Sequence, residues 1–126
     1  MKKKVLVVED NRDTMELLKF TLERAGYEVA CAYDGEEGCR KAKEILPDII
    51  LLDMMMPVMD GYTANRRLKE DAATRSIPVI VISARDKMSS LFDSASGASV
   101  DAYLVKPFTN QSLVEKVAKI LLEKSA

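Results

Sequence analysis

A chain of 126 residues is the size of one domain and can bury a core without metal or disulfide staples. Its 48% apolar and 31% charged residues are a globular composition, and a net charge of −1 leaves no basic footprint for direct nucleic-acid binding. Histidine is absent, which excludes a catalytic triad and the commonest general base, so any chemistry must run on carboxylates, hydroxyls and amines.

The start, Met1-Lys2-Lys3-Lys4, is basic, but only Val5-Leu6-Val7-Val8 separates it from Glu9-Asp10, too short a run for a signal-peptide core or a membrane span. A cytoplasmic protein without membrane attachment is expected. Val5 to Val8 forms the first predicted strand. Met15, Leu18, Leu22 and Ala25 then recur at helical spacing, with Gly26 as the C-terminal cap. Val29-Ala30-Cys31-Ala32 is a second, weaker strand. Asp34-Gly35 reads as a turn or cap ahead of the next helix, and Pro47-Asp48 as the turn that ends it. Ile49-Ile50-Leu51-Leu52 is a third strand and Val79-Ile80-Val81-Ile82 a fourth. Like the first, both are continuous apolar runs, the pattern of central strands covered on both faces. Between them, Asp60-Gly61 marks a turn or helix N-cap. The segment after Ile82 has its apolar face diluted by Ser89, Ser90, Ser94, Ser96 and Ser99, and is expected to be the most mobile helix. Tyr103-Leu104-Val105 is a short fifth strand, placed with the second towards the sheet edges. Leu113, Val117, Ile120 and Leu121 line a last helix. Cys31 and Cys39 lack metal-ligand spacing and are expected to be small buried hydrophobes.

Five alternations of strand and helix predict one α/β domain over residues 1–126, a parallel sheet with right-handed crossovers and helices on both faces. Ligands in such sheets bind beyond the carboxyl ends of the strands. The notable polar residues fall there: Glu9 and Asp10 after the first strand, Asp53 closing the third, Ser83 closing the fourth and Lys106 after the fifth. Singly, each has an ordinary explanation, since an acid after a strand often caps the next helix and a lysine there is often merely solvated. Together they account for one another. Carboxylates held a few ångströms apart repel by roughly 4 kcal/mol per pair at an effective dielectric of about 20, and a cation must offset that. An all-oxygen cluster without His or Cys selects a hard ion, and Mg²⁺ rather than Ca²⁺ where waters are kept for a phosphate oxygen. An ionised Asp53 needs no base to act as nucleophile, so the set reads as a phosphoryl-transfer site.

Four stretches in order resemble the receiver domain of two-component response regulators, across essentially the whole chain. They are Val5-Leu6-Val7-Val8-Glu9-Asp10-Asn11, the run from Asp48 through Asp53 and Pro57 to Gly61, Ser83-Ala84, and Tyr103-Leu104-Val105-Lys106-Pro107-Phe108. The resemblance implies a flavodoxin-like five-stranded sheet of order 2-1-3-4-5. It implies phosphorylation of Asp53, with Mg²⁺ held by Asp10, Asp53 and the backbone carbonyl of Met55, and by Glu9 directly or through water. Lys106 would bind the phosphoryl group, Ser83 would hydrogen-bond it, Tyr103 would turn inward behind Ser83, and the Lys106-Pro107 bond would be cis. The donor would be a phosphohistidine on a sensor histidine kinase or histidine phosphotransfer protein. The output surface would involve the helix before the fifth strand, that strand and the last helix, facing a downstream target the sequence does not name. Such a domain is not a turnover enzyme, although it assists its own Mg²⁺-dependent phosphorylation and dephosphorylation.

Two departures stand out. Ser99 occupies the place where a glycine is expected before the aromatic residue, and the family's lifetime-tuning positions are Met55 and Arg85. An apolar Met55 cannot orient an attacking water, so a long-lived phospho-Asp53 is expected. The same Met55 argues against an aspartyl-phosphate hydrolase, which usually carries a second acid there. A flavin or nucleotide carrier lacks its glycine-rich loop after the first strand. A phosphorylation-independent interaction module is the remaining rival, and filled acceptor, metal and lysine positions weigh against it. Whether the domain stands alone or was cut from a longer regulator, and its oligomeric state, are left open by the sequence.

Overall fold

The computed structural model describes residues 2–54, 59–83 and 100–125. Its elements are β1 (Lys4–Val8), α1 (Arg12–Arg24), β2 (Glu28–Ala32), α2 (Gly35–Ile45), β3 (Ile49–Asp53), α3 (Gly61–Glu70), β4 (Val79–Ser83), β5 (Ala102–Val105) and α4 (Asn110–Ser125). All four strand pairings are parallel and the order is β2-β1-β3-β4-β5, as the resemblance implied. Residues 84–99, where a mobile helix was expected, lie outside the described residues, Arg85 and Ser99 among them, as does Met55.

The central strands are buried along their length because helices cover both faces. Val5, Val7, Ile49, Leu51, Ile80, Ile82 and Leu104 pack with Met15, Leu18 and Leu22 of α1 and with Leu113, Val117, Ile120 and Leu121 of α4. The alternate strand positions, Leu6, Val8, Ile50, Leu52, Val79 and Val81, face Ala42 of α2 and Ala64 and Leu68 of α3. Each fully buried Val, Leu or Ile contributes about 1.5–3 kcal/mol, so the platform is set by these two apolar layers. Cys31 packs against the first layer and Cys39 against the second. Both are free and half-buried, rather than the buried hydrophobes expected from the sequence.

Helix ends follow local chemistry. Asn11, Asp34 and Asp60 cap α1, α2 and α3 by accepting from the backbone N–H groups of Thr14, Glu37 and Thr63. Gly26 takes φ 99° directly after the Ala25 cap. Its N–H reaches the Glu23 carbonyl while that of Tyr27 reaches Leu22, the paired closure of a Schellman motif. At the end of α2 the same left-handed role falls to Leu46, φ 48°.

Candidate functional site

The described polar residues singled out from the sequence lie together at the carboxyl ends of the strands. Asn11, not Asp10, caps α1, so the ordinary capping explanation for Asp10 is removed and its carboxylate stays exposed beside the site. Asp53 ends β3 and is buried, and Glu9 is buried just beyond β1. One carboxylate oxygen from each of Glu9, Asp10 and Asp53 lies within 4.8 Å of the others. Lys106 approaches from beyond β5, its Nζ 3.7 Å from Asp53 Oδ1, with its side chain 42% exposed against 5% for Asp53. The Lys106-Pro107 peptide is cis, as implied.

Ser83 closes β4 and is buried. Its carbonyl accepts from the Lys106 N–H at 2.7 Å, so the residues that end β4 and follow β5 are joined through the backbone. In the β4–β5 register Ser83 faces Val105 and Val81 faces Tyr103. Side chains alternate along a strand, so Ser83 and Tyr103 emerge on one face of the sheet, diagonal to each other. Tyr103 packs there against the α2 and α3 layer, half-buried.

The segment after Asp53 returns close to its origin. The Gly61 N–H donates to the Met54 carbonyl at 3.0 Å. A Cβ on Gly61 would lie 2.9 Å from Met54 Cα and 3.0 Å from the Asp53 carbonyl oxygen, so only glycine lets α3 start this near the end of β3.

Electrostatically the cluster is unbalanced. Three ionised carboxylates at this spacing repel by about 3–4 kcal/mol per pair at an effective dielectric of about 20, and among the described residues one lysine, Lys106, faces them. Glu9 carries the strain: burial, opposed by the Asn11 N–H, and the negative charge of Asp53 push its carboxyl up to about 7, with Lys106 acting against the rise and the contact with Asp10 adding to it. Glu9 Oε2 accepts from the Asn11 N–H at 3.0 Å, whereas Oε1 is buried with no hydrogen-bond partner among the described residues. An orphaned, buried carboxylate oxygen beside two further carboxylates fits a hard divalent cation, which would take the place of the proton that otherwise relieves the cluster. The Met55 carbonyl expected to complete the ligand set lies outside the described residues.

A family model for the response regulator receiver domain matches residues 5–118. The chain belongs to this family. Transcriptional regulatory protein PrrA of Mycobacterium tuberculosis (strain ATCC 25618 / H37Rv) is 44% identical over 120 residues, covering 94% of this receiver domain and 49% of PrrA. A receiver domain protein (CheY-like) from Methanospirillum hungatei JF-1 superposes with a TM-score of 0.88 at 27% identity, over 99% of this chain and 98% of that one. The receiver domain of sensor histidine kinase PA1611 from Pseudomonas aeruginosa PAO1, solved with a magnesium ion coordinated in its active site cleft, gives 0.86 at 29% identity, over 96% and 98%. The chain spans about half the length of the regulators PhoP, RpaA and PrrA that it matches.

Sequence reasoning missed Asp101. At the foot of β5 its carboxylate accepts from the Val79 N–H at 2.7 Å and pairs with Lys69 of α3 and Lys124 of α4. No pattern in the sequence joins positions 69, 101 and 124. Only the fold brings them together.

Proposed function

We propose that this receiver domain is a phosphoacceptor switch in two-component phosphorelay signalling, in which Asp53 takes a phosphoryl group from a phosphohistidine on a partner sensor kinase or histidine phosphotransfer protein. The observation that carries this reading is the gathering of Glu9, Asp10 and Asp53 within 4.8 Å, with Lys106 Nζ 3.7 Å from Asp53. An Asp53 carboxylate oxygen attacks phosphorus, the phosphorus–nitrogen bond of the donor breaks, and the leaving imidazole keeps the electron pair and takes up a proton from water. Mg²⁺ bound by Asp10 and Asp53, with Glu9 and the Met55 carbonyl, would supply charge for the transferring oxygens. Lys106 adds a fixed positive charge, and its partial exposure lets it reach the incoming group. Ser83 donates a hydrogen bond to the new phosphoryl oxygens, and Tyr103, on the same sheet face, follows it inward. The acyl phosphate carries about −1.5 to −2 where the ionised carboxylate carried −1, and this net gain of about −0.5 to −1, with the new acceptor oxygens, biases the loops above the sheet towards a second arrangement, which a downstream target reads.

On this reading residues 1–126 act as one domain in the cytoplasm, without direct contact to nucleic acid or membrane. No helix among the described residues is long and apolar enough to cross a membrane. The test is intact mass spectrometry and backbone NMR with Mg²⁺ and acetyl phosphate on wild type and Asp53→Asn. The expected result is a phosphate adduct lost in the variant, with shift changes spreading from Asp53 to Ser83 and Tyr103. No adduct, and no Mg²⁺-dependent shift near Asp10, would make the domain a phosphorylation-independent module. Slow loss of the adduct after donor removal is expected from the apolar Met55, and Arg85 is the second position whose substitution should alter that rate.

A further inference from the structure

Two side chains from α2 cover part of the outer edge of β2. The inward groups of β2 are fixed by the bonds from the Glu28 N–H to the Lys3 carbonyl and from the Glu9 N–H to the Ala32 carbonyl. Backbone groups alternate sides along a strand, so the even-numbered residues face β1 and Cys31 and Tyr33 turn theirs outwards. Two of those outward groups, the Cys31 carbonyl and the Tyr33 N–H, are engaged. Lys41 Nζ donates to the Cys31 carbonyl, and the Tyr33 N–H donates to Glu37 Oε1 at 2.6 Å. Glu37 Oε2 and Lys41 Nζ are in turn paired at 3.6 Å.

In a parallel ladder, one residue of a neighbouring strand gives its N–H to the carbonyl of residue i and takes the N–H of residue i+2. Cys31 and Tyr33 are such a pair, and the ammonium and carboxylate of Lys41 and Glu37 fill the two places a sixth strand would use. We propose that the Glu37–Lys41 pair is an edge stop that prevents β2 from pairing with β2 of a second copy of this chain. A second copy is the occupant because the edge is self-complementary: a two-fold axis at Cys31 makes an antiparallel pair with Cys31 opposite Cys31 and Val29 opposite Tyr33, an isologous contact that closes at the dimer.

Cys31 reports on this contact. An antiparallel hydrogen-bonded pair has Cα atoms about 5.5 Å apart, inside the disulfide range. In a Cys39→Ser background, diamide would take two electrons and two protons from two Cys31 thiols and become the hydrazine, leaving one intermolecular disulfide. The experiment compares this cross-link in that background alone, with Glu37→Ala plus Lys41→Met, and with Glu37→Gln, which keeps an acceptor for the Tyr33 N–H. The double substitution is expected to raise Cys31 cross-linking at least about tenfold, since at least one outward hydrogen bond per copy is released for pairing, while Glu37→Gln stays near the background. A folded double variant that cross-links no more than the background overturns the proposal, as does self-association that leaves Cys31 uncross-linked. Amide exchange at Tyr33 covers the case of a variant that does not fold. Protection of that N–H in the unsubstituted chain, lost in Glu37→Ala, is required, and exchange as fast as in an unstructured peptide would overturn the edge stop.

Discussion

Asn65 lies on the buried face of α3 with no exposed surface, and neither its Nδ2 nor its Oδ1 has a hydrogen-bond partner among the described residues. A buried polar group left unpaired costs about 1–3 kcal/mol, and Asn65 carries two in one amide. Leucine has the same branching at Cγ, so Asn65→Leu removes that penalty and adds the gain of burying two methyl groups. Overpacking by the larger methyls gives back about 1–3 kcal/mol. The expected balance is a gain of about 1–3 kcal/mol. For 126 residues the unfolding entropy is about 0.26 kcal/mol per kelvin, so each kcal/mol raises Tm by about 4 °C. The chain has no tryptophan, and far-UV circular dichroism is the natural probe for thermal and urea unfolding. The urea midpoint should rise with an unchanged slope. Asn65→Asp should instead lose several kcal/mol, because it buries a charge in an unpaired position. A lower midpoint for Asn65→Leu would refute the reasoning and mean that the amide is hydrogen-bonded in solution.

Three further outcomes follow from the structure. Burial disfavours the charged form of Asp101, but the Val79 N–H and the ammonium groups of Lys124 and Lys69 outweigh it and hold its carboxyl below the ordinary aspartate value. A depressed carboxyl gives its full stabilisation above the unfolded pKa and loses it as pH falls through the folded one. Asp101→Asn should therefore cost about 1.5–3 kcal/mol at neutral pH, and urea titrations should show the gap to wild type closing below about pH 4. Gly61→Ala should destabilise by about 1–3 kcal/mol and slow phosphorylation of Asp53 by acetyl phosphate, because the new methyl meets backbone atoms of Asp53 and Met54 rather than a flexible side chain. Leu46→Gly should raise stability by about 0.5–1 kcal/mol in the same melts, since relief of the left-handed conformation exceeds the added chain entropy and the lost side chain is exposed.

The strands and the site ends were legible in the sequence because continuous apolar runs and the polar residues that stop them are local signals. Val5 to Val8, Ile49 to Leu52 and Val79 to Ile82 each lie within an observed strand, and the weaker runs at Val29 and Tyr103 are the edges. Gly26, Asp34 and Asp60 act at helix ends where turn chemistry placed them. What was not legible depends on contacts between distant elements. Nothing in the sequence singles out Glu37 and Lys41, and only the packing of α2 beside β2 brings them to the Tyr33 N–H and the Cys31 carbonyl. Asn65 sits at an apolar helical position, where sequence alone gives no measure of whether an amide finds a partner. Leu46 shows the reverse case: a residue with no turn signature adopts a left-handed cap because the chain must leave α2 there for β3.

The tether at Asp101 also has a mechanical consequence. β5 is four residues long, about 13 Å, with the Asp101 clasp just before its first residue and Lys106 just after its last. Its foot is fastened to β4, α3 and α4, while its tip is tied to β4 through the Ser83 carbonyl. A short beam held at both ends has little room to move alone, so a displacement imposed at the Lys106 end is shared with β4 and passed to whatever lies against that outer strand.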